Sequence, residues 1–268
     1  LDKLSLEGLS KAYVPHIMKV RVDDGKGALA VLSDIHEGLN NREELQHSVQ
    51  FLLELGPRCK VVIGGDATNT ITRNSKGSVI EEWASGSDQI FALVDDIKPL
   101  YESGQLIGII SGNHPKRVYD ETFITVEAMV ASILGDRSLY KGSMGIIYFN
   151  CDKNLYVHHI MHKAKQTEGA YDYFSADVNW FEHRHKPMAR PKIIIEHNKY
   201  AKVPVAKRCW DLYQPSFQEY PDYAKSMGLR PSPTGFWICE MTNDVHNRNL
   251  MPHLSGDFEE LIKNGYRF

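Results

Sequence analysis

At 268 residues, with 42% hydrophobic and 24% charged side chains, the chain can bury a large core and is folded, which excludes disorder as its overall state. Its net charge of −3 supplies no global field for polyanions, so any nucleic-acid contact must come from a local basic patch. No apolar run approaches the roughly 20 residues of a membrane span, and the start lacks the basic-then-apolar order of a signal peptide; a cytoplasmic chain is expected. Cys59, Cys151, Cys209 and Cys239 form no C-x-x-C pair, so neither a zinc knuckle nor a redox motif is implied, and buried free thiols are expected.

In chain order, residues 1–26 read as a lead-in packed on the body of a single domain spanning 1–268. The apolar run 28–33 predicts the first strand. Leu45, Val49, Leu52 and Leu53 then recur at helical spacing until Pro57, and Val61 to Ile63 form the second strand. Ile80, Trp83, Ile90, Leu93, Val94 and Ile97 predict a helix before the third strand, Ile107 to Ile110, and a further helix is predicted over 122–134. This alternation is that of right-handed crossovers on a parallel sheet. Gly145 to Phe149 and Leu155 to His159 then read as a hairpin around the five-residue turn 150–154. Val178 to Phe181, Pro191 to Glu196, Ala201 to Val205 and Phe236 to Met241 are short strand candidates. Together they predict a second, largely antiparallel sheet, with 187–268 supplying its later strands and the C-terminal strands and loops.

Polar residues recur where apolar runs end. Ala28 to Leu32 runs into Ser33-Asp34-Ile35-His36, Val61 to Ile63 into Gly64-Gly65-Asp66, and Ile107 to Ile110 into Ser111-Gly112-Asn113-His114. Val178 to Phe181 runs into Glu182-His183-Arg184-His185. In an extended chain, positions i and i+2 face the same side, so Asp34 with His36, and His183 with His185, can grip one ion together. Ligands in parallel sheets bind outside the carboxyl ends of the strands, where these residues lie. Asp34, His36, Asp66, Asn113, His159, His183 and His185 make a thiolate-free set suited to Mn²⁺, Fe or Zn²⁺, and too large for one such ion.

As an ordered series these motifs resemble those of the calcineurin-like metallophosphoesterases, and the stretch from Gly64 to Asn113 looks like the members found in bacteriophages, which would place the chain in a host cytoplasm. The resemblance implies an α/β fold, a four-layer α/β/β/α sandwich of two mixed sheets flanked by helices. It implies one metal held by Asp34, His36 and His185, and another held by Asn113, His159 and His183, with Asp66 bridging. His114 would face the substrate phosphate from outside the metal shell. Three positions depart from the family pattern: Pro115 replaces an acidic residue that would orient His114, a role open to Asp120 or Glu121, while Ile160 and Glu182 replace glycines. His158 and His162 compete with His159, which the motif alignment favours.

The expected activity is hydrolysis of a phosphodiester, with DNA or RNA in range, by a hydroxide bridging two divalent ions, Mn²⁺ first, with His114 as transition-state stabiliser or general acid. Alternatives are a phosphomonoesterase acting on nucleotides or phosphoproteins, and a non-catalytic scaffold with a degenerate metal site. Arg73, Arg117 and Arg184, with Lys76, Lys116 and Lys186 nearby, flank the motifs and are candidates for substrate oxygens. Single-stranded nucleic acid is the expected partner. The segment Tyr213 to Pro233 reads as a lid or as the surface of a homodimer.

Overall fold

The computed structural model describes residues 16–23, 25–72, 82–162, 176–198, 202–220, 225–228, 230–242 and 249–267, and it places a strand within the expected lead-in. In His16–Val22 (β1), Met18, Val20 and Val22 are buried while Lys19 and Arg21 are exposed, the two-residue period of a half-buried strand. Gly27–Leu32 (β2) is buried at every position, as a central strand covered on both faces must be. Arg42–Leu55 (α1) follows, started by Asn41, whose side chain accepts from Glu44 N–H, and ended at Gly56. Then come Cys59–Ile63 (β3), Gly86–Glu102 (α2), Leu106–Ile109 (β4), His114–Thr122 (α3) and Val126–Ile133 (α4).

The predicted helix from Ile80 therefore begins later, at Gly86, because the Ser85 side chain caps it by accepting from Asp88 N–H. Trp83 precedes the helix, where the Arg42 guanidinium lies over its ring, and Ile80 falls outside the described residues. The helix expected over 122–134 is α4, which starts only at Val126 because the chain turns at Phe123 with φ 59°; α3, which ends at Thr122 before that turn, was not expected.

Met144–Cys151 (β5) and Asn154–Met161 (β6) form the expected hairpin, but around two residues rather than five, since Cys151 pairs with Asn154 and Asp152 takes φ 53°. Val178–Phe181 (β7) is followed by one long hairpin, Met188–Asn198 (β8) and Val203–Tyr213 (β9), which absorbs two of the short strand candidates. Trp237–Met241 (β10), Leu250–Leu254 (β11) and Ser255–Lys263 (α5) complete the described elements.

Two mixed sheets stack, flanked by helices, in the expected α/β sandwich. One runs β11-β10-β2-β3-β4, with β2, β3 and β4 parallel; the other runs β1-β5-β6-β7-β9-β8. β10 pairs antiparallel with β2, so it belongs to the first sheet and not the second. The second sheet is mixed rather than largely antiparallel, because β1 with β5, β6 with β7 and β7 with β9 are parallel pairs. Leu29, Val31, Val62, Phe149, Ile160 and Trp180 pack between the sheets, while Leu45, Leu52, Leu93, Ile97 and Phe258 bury the helices against the first. Each fully buried side chain of this kind contributes roughly 1.5–3 kcal/mol. All four cysteines are buried free thiols. No described helix is long and apolar enough to cross a membrane.

Candidate metal centre

β2 and β3 keep pairing beyond their strands: Asp34 N–H donates to Gly65 O and His36 N–H to Asp66 O, both at 2.9 Å. The two motif loops are thereby clamped side by side. Within them Asp34, His36 and Asp66 take φ of 52°, 53° and 55°, and His183 and His185 take 78° and 52°. Left-handed backbone is costly for residues other than glycine, and its concentration at five polar strand-end positions marks a site that the surrounding fold over-determines.

Two groups of side chains that could hold a metal ion result: Asp34, His36 and His185 in one, and Asp66, His162 and His183 in the other, with one potential ligand atom from each residue lying within 4.8 Å of the others in its group. In the first, His185 Nε2 lies 3.0 Å from Asp34 Oδ1 and 3.3 Å from His36 Nε2. The Asp34 carboxylate is held from behind by Ser33 Oγ–H at 2.6 Å and by His183 N–H at 3.1 Å. In the second, His162 Nε2 lies 3.0 Å from Asp66 Oδ2 and 2.9 Å from Asn113 Oδ1.

His162, and not His159, therefore stands with Asp66 and His183 at the end of β6. Alternation along β6 decides this. His158, Ile160 and His162 share the face toward the other sheet: Trp180 Nε1–H donates to His158 Nδ1, and Ile160 packs in the inter-sheet core. His159 turns to the opposite face beside Asn179, where burial lowers its pKa to about 4. β6 also runs to Met161, so its true end is two residues beyond His159 and His162 is the residue that follows it.

Glycines shape the floor. A Cβ on Gly112 would collide with Asp66 N and Oδ1, one on Gly65 with the His162 ring, and one on Gly64 with Glu182 Oε1. Glu182, which stands where the family pattern has glycine, is fully buried over that pair; its Oε2 accepts from Gly65 N–H at 2.8 Å and lies 3.2 Å from His162 Nδ1. The carboxylate thus fills the space over Gly64 and contacts the His162 ring. Ile160, the other departure, is a core residue two positions before the ligand.

His114 N–H donates to Asp66 Oδ1 at 2.7 Å, and its Nδ1 lies 3.1 Å from Asn69 O. A carbonyl only accepts, so Nδ1 carries the proton and Nε2 is left for a substrate. A backbone carbonyl, not Asp120, orients this ring; Asp120 pairs with Lys116. Glu121, the other acidic candidate, is exposed, whereas His114 is half-buried. Behind the loop, Glu127 is buried and accepts from Gly112 N–H at 3.1 Å. Burial is the largest influence on it and, with the Asp66 charge nearby, raises its pKa to about 7.

The electrostatics suit a cation. Burial opposes ionisation of Asp34 and Asp66, yet His185 and His162 in the first case, and His162 and His114 in the second, hold both carboxyls far below the ordinary carboxylate value. Burial likewise favours a neutral His162, but Asp66, Asp34 and Glu182 outweigh it and raise its pKa well above the usual imidazole value. Elsewhere burial prevails, and His36, His114 and His183 are pushed down. Two buried carboxylates facing an array of imidazole nitrogens, without thiolates, are a donor set for divalent Mn, Fe or Zn. The residues present fit such ions.

The groups lie at the floor of a cleft of about 1210 Å³, lined by His36, Asp66, His114, His183 and His185 and walled by Arg184, Lys186 and Arg230. Of the two described arginine candidates, Arg184 lines it and Arg117 does not, acting on His114 through its charge; Arg73 lies outside the described residues. Arg230 was not legible, since it stands in a Pro- and Ser-rich stretch without periodicity. The expected lid or dimer surface supplies one wall: Ser216 Oγ–H and Phe217 N–H donate to Asp34 O, and Glu219 N–H to Leu39 O.

No family model matches the chain, and no curated protein matches it. Among solved structures it is similar to Vps29 complexed with Zn²⁺ from Entamoeba histolytica, at 10% identity and TM-score 0.35, over 85% of this chain and 98% of that one. It is also similar to Vacuolar Protein Sorting 29 from Cryptosporidium parvum, at 11% identity and TM-score 0.40, over 86% and 98%.

Proposed function

We propose that this chain is a calcineurin-like metallophosphoesterase that hydrolyses phosphodiesters, with single-stranded nucleic acid as the substrate class. The observation that carries the reading is the pair of buried ligand groups at the strand ends, opening on a cleft with three cationic side chains on its walls. Asp34, His36 and His185 would hold one divalent ion, and Asp66, Asn113, His162 and His183 the other, with Asp66 shared. Bound there, two such ions acidify a water and neutralise charge on phosphoryl oxygens.

The protein's own groups do the rest. Arg184, Lys186 and Arg230 hold phosphate oxygens on either side of the scissile bond, and the cleft, larger than a lone phosphate requires, admits the flanking chain. His114, with Nδ1–H fixed on Asn69 O, presents Nε2 to the leaving oxygen. It delivers a proton there when doubly protonated, and burial makes that form a stronger acid than a free imidazolium.

The test compares an aryl phosphodiester, an aryl phosphomonoester and a single-stranded oligonucleotide with Mn²⁺-loaded protein across a salt series. Diester turnover with steeply salt-sensitive oligonucleotide cleavage supports the reading. Preference for the monoester without nucleic-acid cleavage replaces it with a phosphatase, and no turnover by protein that holds two ions per chain replaces it with a scaffold.

A further inference from the structure

Glu182 is a buried carboxylate in direct contact with His162 that the family motifs do not call for. It follows β7 on the same face as the buried Trp180, with its Oε2 between Gly65 N–H (2.8 Å) and His162 Nδ1 (3.2 Å). Gly64 and Gly65 leave the room it occupies, since a Cβ on either would strike Glu182 or His162. On the other edge of the His162 ring, Nε2 faces two oxygens, Asp66 Oδ2 at 3.0 Å and Asn113 Oδ1 at 2.9 Å. Oxygen atoms thus surround both ring nitrogens. A neutral imidazole has one N–H and one lone pair, so with an acceptor on each side either a second proton or a cation must sit at one of them.

We propose that Glu182 is a positioning residue that accepts the Nδ1 proton of His162 and so turns the Nε2 lone pair toward a divalent cation held with Asp66, Asn113 and His183. This rests on the dinuclear reading of the site. The geometry is that of a carboxylate–histidine–metal relay: the buried carboxylate fixes ring orientation and tautomer and increases the basicity of the ligating nitrogen, and losing such a partner costs about 10–100-fold in metal affinity. In the neighbouring group the buried His36 Nδ1 has no hydrogen-bond partner among the described residues, and Asp34 is backed by Ser33 Oγ–H and His183 N–H. The two ions are therefore held unequally, and Glu182 governs one of them.

The experiment is a Co²⁺ titration of chelator-stripped protein followed by visible absorption, with no substrate present, for wild type, Glu182→Gln, His185→Ala and the double variant. The expected result is two ions in wild type, one tight and one weakened about 10–100-fold in Glu182→Gln, and no tight site in the double variant. Two equally tight ions in Glu182→Gln overturn the role of Glu182 alone. Fewer than two ions in wild type overturn the dinuclear reading itself. Wild-type protein loaded with Zn²⁺ gives a second measurement should the Gln variant fail to fold. Imidazole ¹⁵N shifts must show His162 protonated at Nδ1 and ligated through Nε2, and the opposite tautomer overturns the proposal.

Discussion

His162 Nε2 lies 3.0 Å from Asp66 Oδ2, both side chains almost wholly buried, while His159, three residues earlier, faces the other side of its sheet. His162→Ala should therefore lose one of two bound ions, whereas His159→Ala should keep both and pay only in packing around Asn179. Elemental analysis of the two purified variants checks this. Metal loss in His159→Ala with retention in His162→Ala would return the ligand role to His159.

His114 donates its backbone N–H to Asp66 but sends its ring to Asn69 O and the cleft. Its removal should leave metal content intact while kcat falls by roughly 10²–10⁴, the usual contribution of a general acid or base. Steady-state kinetics alongside metal analysis decide the matter; a variant stripped of metal would make His114 a ligand.

Gly112 has no room for a Cβ, because Asp66 N, Cα and Oδ1 stand in its place. Backbone cannot rotate aside as a flexible side chain can. Gly112→Ala should cost about 1–3 kcal/mol, the usual range for overpacking, and weaken metal binding by displacing Asp66. Denaturant midpoints at equal slope measure the first effect. An unaltered midpoint would show that the Asn113 loop is slack.

Glu127 supplies the pH-dependent prediction. Its folded pKa of about 7 lies above the ordinary glutamate value of 4.5, so the folded state binds the proton more tightly than the unfolded chain does. The stability conferred by the protonated group is fully present below pH 4.5 and is lost as pH rises through about 7. Glu127→Gln, which keeps an acceptor for Gly112 N–H, should match wild type near pH 4 and exceed it above pH 7, by up to about 3 kcal/mol for a shift of this size. Urea unfolding of chelator-treated protein at the two pH values tests the sign, and a Gln variant less stable at high pH contradicts it.

Much of the first sheet was readable because β2, β3 and β4 are short, continuously apolar and separated by helical periodicity. β1 was not read as a strand, although Met18, Val20 and Val22 alternate with polar residues. Its partner β5 is more than a hundred residues away, and nothing local indicates that pairing. The mixed character of the second sheet was hidden for the same reason, since the register of β6 on β7 and of β7 on β9 is a contact between distant segments.

For the site, the local pattern sufficed to show which polar residues terminate apolar runs, because a strand end is a local property; that Asp34, His36, His183 and His185 converge through left-handed backbone, and not through the two-residue period of an extended chain, was not readable there. The choice among His158, His159 and His162 depended on strand pairing across the folded sheet. A one-residue change of parity reverses the face of a strand, and the length of β6 is set by hydrogen bonds to β5 and β7 rather than by its own side chains. The Glu182 carboxylate under His162 and the Arg230 guanidinium on the cleft wall were decided there too, because each reaches the site from a segment whose proximity exists only once the two sheets have stacked.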